Sequence, residues 1–255
     1  MAQSFGMLLK EWRSRRRLSQ LELGLAANVS ARHISFLETG RAHPSQSMVL
    51  RLSQSLKVPR SNRNALLTAA GFAQAYAARS LEEPEMSEVN EAMAWMLERH
   101  DPYPAIALDR YWRVVRANRC ATALLEPMGI GVNDSLLEAF VTAGPFAAAL
   151  ENRDEIARHM VSRLRTESAH LGGDSILDDA AETLAASLGD DGQLAESPLP
   201  AIVPARYRVG DITLSLFSTI AQFGSTEDIV LAEIKIEFMF PADDITRRAL
   251  MAGTQ

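Results

Sequence analysis

Residues 18–41, LSQLELGLAANVSARHISFLETGR, decide how the rest of the chain is read. Ser19 and Glu22 stand in the S-x-x-E relation, so hydroxyl and carboxylate reciprocally satisfy two N–H groups orphaned at a helix start. Leu18 and Leu23 flank that cap as the accompanying apolar staple. Asn28 falls where the chain must reverse, and asparagine tolerates a left-handed backbone better than most residues other than glycine. Ser30 caps a second helix. In it Ile34 and Leu37 share one face, while Ala31, Arg32, His33, Ser35 and Phe36 lie on the others. Two short capped helices with a tight break between them make a helix-turn-helix.

The same residues carry a resemblance. L-S-Q-x-E-L at 18–23, V-S-x-x-x-I-S-x-x-E-x-G at 29–40 and then Pro44-Ser45 resemble the lambda-repressor-like (Xre/Cro) DNA-binding domain over about residues 4–72. Gly24 and Asn28 depart from the usual Ala and Gly but keep small size and turn tolerance. Phe36 replaces a residue that is often polar and base-reading. The resemblance implies five short helices in the first 70 or so residues, and an ion pair between Arg13 and Glu38 tying the first helix to the third. Recognition helices enter the major groove by their N-terminal residues. Carried across position by position, Ala31, Arg32 and Phe36 are the candidates for base edges, Arg32 for a bidentate contact to guanine. Gln20 is placed to hold a phosphate and brace the recognition helix. Ser30, His33 and Arg41 are candidates for backbone contacts, which position without specifying, and Ser35 shares their open face.

Charge supports this reading. Residues 1–80 carry 12 Lys and Arg against 3 Asp and Glu, whereas residues 81–255 carry 14 against 29. The overall charge of −6 therefore conceals a basic head on an acidic body, the pattern of a nucleic-acid-binding module attached to something else. No apolar run approaches the roughly 20 residues that span a membrane. Met7-Leu8-Leu9 is cut off by Lys10-Glu11, too short for a signal-peptide core. A single cysteine, Cys120, forms no internal disulfide and fits a reducing cytoplasm. The five histidines show no metal-binding spacing, and neither a G-x-S-x-G elbow nor a P-loop is present. Neither an enzyme nor a metal or cofactor protein is expected.

Apolar periodicity places helices at 4–16 (Phe5, Leu8, Leu9, Trp12), after Pro44-Ser45 (Met48, Val49, Leu52, Leu56) and at 60–70, stopped by Gly71. Arg15, Arg16 and Arg17 fall on the exposed side, available for phosphates. Periodicity fades after Tyr76, so a helix-turn-helix domain is set at 1–75, a linker at 76–87 and a second domain at 88–255. The second domain begins with a helix near 88–99, then strands at Ala105–Leu108 and Trp112–Arg116 and a helix capped by Asn118. A helical middle follows from 135 to 188, closed by Gly189, with Arg158, Arg163 and Arg165 mostly outward. A proline-rich loop from Pro198 to Pro204 leads to strands near 205–210, 212–221 and 229–240. In the last, Ile234, Ile236, Phe238 and Phe240 alternate against Lys235, Glu237 and Met239, as in a half-buried antiparallel strand. The expected fold is thus mixed: an all-α lambda-repressor-like domain of five helices, then an α+β sensor-type domain.

A second resemblance rests on HDPYPAIALDRYWRVVRAN, IARHMVSRLRTESAH and TLSLFSTIAQFG, in that order behind the first domain. These are similar to the MmyB-like transcription-regulator ligand-binding domain over about residues 88–250. The resemblance implies a PAS-like fold and an apolar pocket, with a fatty-acid-like ligand as the leading idea. Candidate wall residues are Phe140, Phe146, Met160 and Leu164 from helices, and Leu214, Leu216, Phe217 and Phe238 from strands. Arg158 or His159 is the candidate to hold an anionic head group. Two readings stay open. In one, a homodimer reads a pseudo-palindromic operator in double-stranded DNA and responds to a small apolar ligand. In the other, the acidic body is a protein-interaction or dimerisation module without a small ligand; a lined cavity favours the first and a filled core the second.

Overall fold

A computed structural model of the chain describes residues 4–188, 202–224 and 228–253. It divides into two compact units, one built mainly from the chain up to Ala78 and the other mainly from Arg79 onward.

The first unit holds five helices among its described residues: α1 (Phe5–Arg15), α2 (Gln20–Ala27), α3 (Ala31–Glu38), α4 (Gln46–Ser55) and α5 (Arg60–Ala69). Local chemistry sets the ends. Ser19 and Glu22 form the reciprocal capping box, and Asn28 takes the left-handed backbone at φ 53°, ψ 51° that turns the chain between α2 and α3. Ser30 Oγ accepts from His33 N at 3.2 Å to start α3. The core contains Leu9, Trp12, Leu23, Ile34, Leu37, Leu52 and Leu67, each at most 4% exposed. Gly24 makes the turn possible: a Cβ there would stand 2.5 Å from the Val29 carbonyl oxygen, inside any tolerable contact. The arginines at the end of α1 divide differently from expectation. Arg16 donates to the carbonyls of Leu56 (3.0 Å) and Lys57 (3.2 Å), satisfying the end of α4, so it is a structural donor and not a free phosphate contact. Arg15 pairs with Glu11 one turn back.

The second unit contains α6 (Ser87–Arg99), β1 (Ala105–Leu108), β2 (Val114–Ala117), α7 (Arg119–Leu125), α8 (Leu136–Val141), α9 (Pro145–Ala149) and α10 (Arg153–Leu171). After these come α11 (Ser175–Ser187), β3 (Ala205–Val209), β4 (Ile212–Gln222), α12 (Ile229–Glu233), β5 (Lys235–Pro241) and α13 (Asp244–Ala252). Its described strands form one sheet in the order β2-β1-β5-β4-β3, every neighbouring pair antiparallel. Asn118, 4% exposed, ties three elements together. Its Oδ1 accepts from Ala105 N and Ala121 N, and its Nδ2 donates to the Leu97 carbonyl.

Two expectations are corrected here. Residues 229–233 are helical, not the start of the last strand; Leu-Ala-Glu favours helix, and sheet pairing begins only at Lys235. The last strand is also not half-buried. β5 lies at the centre of the sheet, and both of its faces are covered. Ile236 and Phe238 pack with Met93, Leu97, Ala105 and Ala107 on the α6 side. Lys235, Glu237 and Met239, expected outward, are 5%, 6% and 7% exposed on the opposite face. The expected helix stop at Gly189 and most of the proline-rich loop lie outside the described residues.

Candidate functional site

In the first unit the site is built around α3. Ile34 and Leu37 bury its inner side, at 0% and 1% exposure, which leaves Arg32 open and Ala31, His33, Ser35 and Phe36 at the rim. The side chains of Arg32 and Arg41 donate no hydrogen bond to any described residue, although the Arg41 backbone N–H donates to the Phe36 carbonyl at 2.8 Å. The Arg32 guanidinium instead lies 5.3 Å from the centroid of the half-buried Phe36 ring, which orients its fork without using its donors. Ser30 is exposed, with its hydroxyl engaged as the cap of α3.

The far end of α3 is fastened. Arg13 Nε and Nη2 meet Glu38 Oε1 and Oε2 at 2.6 and 3.0 Å, a two-point contact. Arg13 Nη1 also donates to the Leu18 carbonyl at 2.8 Å, and Gln20 Nε2 donates to Glu38 Oε2 at 2.8 Å. Glu38 therefore receives three donors from two other helices, and Gln20 braces the helix as expected of it. The hydrogen bond to Glu38 raises the Arg13 pKa further, so the guanidinium stays charged.

In the second unit a cavity of about 220 Å³ lies between the inner face of the sheet and helices α7 to α10. Of the residues expected on its wall, Phe140, Phe146, His159, Met160, Leu216 and Phe217 line it. The Phe217 ring also stacks on Phe240, with centroids 5.6 Å apart. Four expectations fail. Leu164 and Leu214 are buried but stand away from the cavity, in the core. Phe238 belongs to the opposite face of β5, 5.0 Å from the His100 ring. Arg158 is exposed and off the wall, because it falls on the outer side of α10.

What sequence reasoning missed is the polar end of this cavity. Arg163, expected outward, points in: Nη2 donates to Glu237 Oε1 at 2.7 Å and Nε to Glu167 Oε1 at 3.0 Å. Lys235 Nζ and Trp112 Nε1 donate to Glu167 Oε2 at 2.7 and 3.2 Å. The Trp112 ring lies 4.1 Å from Arg163 Cζ and 4.5 Å from Lys235 Nζ, a shared cation–π platform. Trp112 reaches this position from a backbone φ of 62°, unusual for so bulky a residue and a mark of local strain. Burial pushes the Glu167 carboxyl up, but Lys235, Arg163 and the Trp112 N–H outweigh it and hold it below the usual range. Burial pulls the Lys235 ammonium down against the opposing pull of Glu167. Tyr207 also lines the cavity, and burial, reinforced by Glu237, holds its phenol firmly protonated. Burial and the Arg163 charge lower the His159 pKa, so this residue is neutral at pH 7. The available signal was spacing: Ile156, Met160, Arg163 and Glu167 recur with the helical period on one face of α10.

A helix-turn-helix unit with uncommitted arginines, followed by an α+β unit enclosing a lined cavity, defines a class: a DNA-binding regulator with an appended sensing domain. Comparison with known proteins narrows the class. Residues 4–66 match the helix-turn-helix domain family, and residues 89–252 match the MmyB-like transcription regulator ligand binding domain. The second match spans well over half of the chain, which belongs to that MmyB-like family. Both matched families are domains of transcription regulators. Among solved structures, the PAS domain from Bordetella pertussis BvgS is similar at 13% identity and a TM-score of 0.31, covering 66% of this chain and 95% of that one. No curated protein matches the chain. No helix among the described residues is long and apolar enough to cross a membrane.

Proposed function

We propose that this regulator binds a specific double-stranded operator as a homodimer and that occupancy of the second unit's cavity by a small apolar molecule changes its affinity for that operator. The ligand is fatty-acid-like in carrying an apolar chain and one polar end. A single observation carries the reading: a cavity with apolar walls and one clustered polar end lies inside residues matched to a ligand-binding domain. Two α3 helices reading half-sites about 34 Å apart supply the specificity that one helix lacks. Kinship to the Xre/Cro regulators rests on the motif at 18–41.

The test takes the full chain through native mass spectrometry and extraction of bound molecules, with its operator selected from random duplexes. A dimer whose operator affinity changes at least several-fold between ligand-loaded and extracted protein is expected. A monomer on the operator, or identical affinity in both states, would refute the proposal.

A further inference from the structure

The chemistry of the ligand's polar end follows from how the charges at the cavity wall, Arg163 and Glu237, and those bonded behind it, Glu167 and Lys235, are spent. Two cations, Arg163 and Lys235, face two carboxylates, Glu167 and Glu237, so the cluster is neutral as a set. Glu167 is fully engaged: both of its oxygens accept within the cluster. Glu237 is not. It is 6% exposed and lines the cavity, and only its Oε1 accepts, from Arg163; Oε2 meets no donor among the described residues. Arg163 in turn uses Nε and Nη2 and leaves Nη1 uncommitted. The phenol of Tyr207, 8% exposed on the same wall, makes no hydrogen bond to a described residue.

Beside Glu237 a ligand therefore meets one open carboxylate oxygen and two open donors, Arg163 Nη1 and the Tyr207 phenol; the Ser218 hydroxyl and the His159 ring line the cavity as well. A carboxylate satisfies the donors alone. It brings a second negative charge against Glu237 in a cluster that is already balanced, where like charges repel with little screening. A hydroxyl or primary amide both donates and accepts, and adds no charge. We propose that the ligand's polar end is an uncharged group that donates to Glu237 and accepts from Arg163 or Tyr207, so that the cavity takes a fatty alcohol or fatty amide in preference to a fatty carboxylate. This rests on the reading of the cavity as a ligand site.

The experiment is calorimetric titration of the extracted full-length protein at pH 8 with decanol, decanamide and decanoate, which share one chain length. Decanol and decanamide are expected to bind at least about tenfold tighter than decanoate. Decanoate binding as tightly as the neutral pair, or tighter, overturns the proposal and leaves the cavity a ligand site. Binding by none of the three refutes the ligand site itself, and the proposal with it. Glu237→Gln keeps the shape and removes the charge, so the preference should shrink or reverse; an unchanged preference in a variant with wild-type circular dichroism also overturns the proposal.

Discussion

Arg13→Ala should destabilise the first unit more than any other single change of a charged residue in it. The Glu38 side chain is 3% exposed and Arg13 13%, so the pair is largely withdrawn from water. Truncating Arg13 removes two of the three donors to Glu38 and leaves a buried carboxylate with only the Gln20 amide. Breaking a buried pair from one side costs about 3–5 kcal/mol, because the surviving charge keeps its desolvation penalty. A unit of this size has a total stability of about 4–10 kcal/mol, so the loss is a large part of it. Removing both charges, in Arg13→Met with Glu38→Gln, strands nothing. It should recover about 1–3 kcal/mol relative to Arg13→Ala. The assay is urea unfolding of the full chain, read by hydrogen exchange of the amides in residues 5–69. A loss below about 1 kcal/mol for Arg13→Ala, or a double variant no more stable than the single one, would refute the assignment of Glu38 as a charge that must be paired.

Three further outcomes are expected. Arg32→Ala should weaken operator binding by about 1–3 kcal/mol and relax base preference at one position, as selection on randomised duplexes reads directly; an equal loss on random DNA would mark a phosphate contact. Gly24→Ala, which in an open helix would stabilise, should here cost about 1–3 kcal/mol in thermal unfolding, because the added methyl meets the Val29 carbonyl and not a yielding side chain. Glu167 titrates below the ordinary carboxylate range when folded, so its stabilising contribution is complete above the unfolded pKa of about 4.3 and is lost as pH falls through the folded value. Glu167→Gln should accordingly flatten the acid limb of the stability–pH curve; an unchanged limb would show that the charge is not held by Lys235 and Arg163.

The helix-turn-helix was legible because its signals are local. Ser19, Glu22, Asn28 and Ser30 act on backbone groups within three or four residues, so sequence order alone places their partners. The polar end of the cavity was not legible, for the opposite reason. Arg163 meets Glu237 across 74 positions, and Lys235 meets Glu167 across 68. Without those partners a charged residue on an amphipathic helix reads as solvent-facing, which is how Arg163 was misplaced and Arg158 preferred. Alternation in β5 correctly separated its two faces, but which face is covered depends on what packs there. With α6 on one side and the cavity helices on the other, a period of two carried no outside at all. Phe238 was thus assigned to the wrong wall, while Phe140, Phe146 and Met160, which follow helical periodicity, were assigned to the right one.

That doubly covered central strand constrains how the protein can change over time. Lys235 and Glu237 sit where an edge strand would tolerate almost any polar residue, yet each is bonded to a side chain on α10. A lone replacement strands a partner in the interior, whereas exchange of the whole set for apolar residues of similar volume is nearly neutral for folding. Drift at positions 163, 167, 235 and 237 should therefore be concerted. Relatives should keep all four charges or lose them together, and those that lost them should have cavities that no longer distinguish one head group from another.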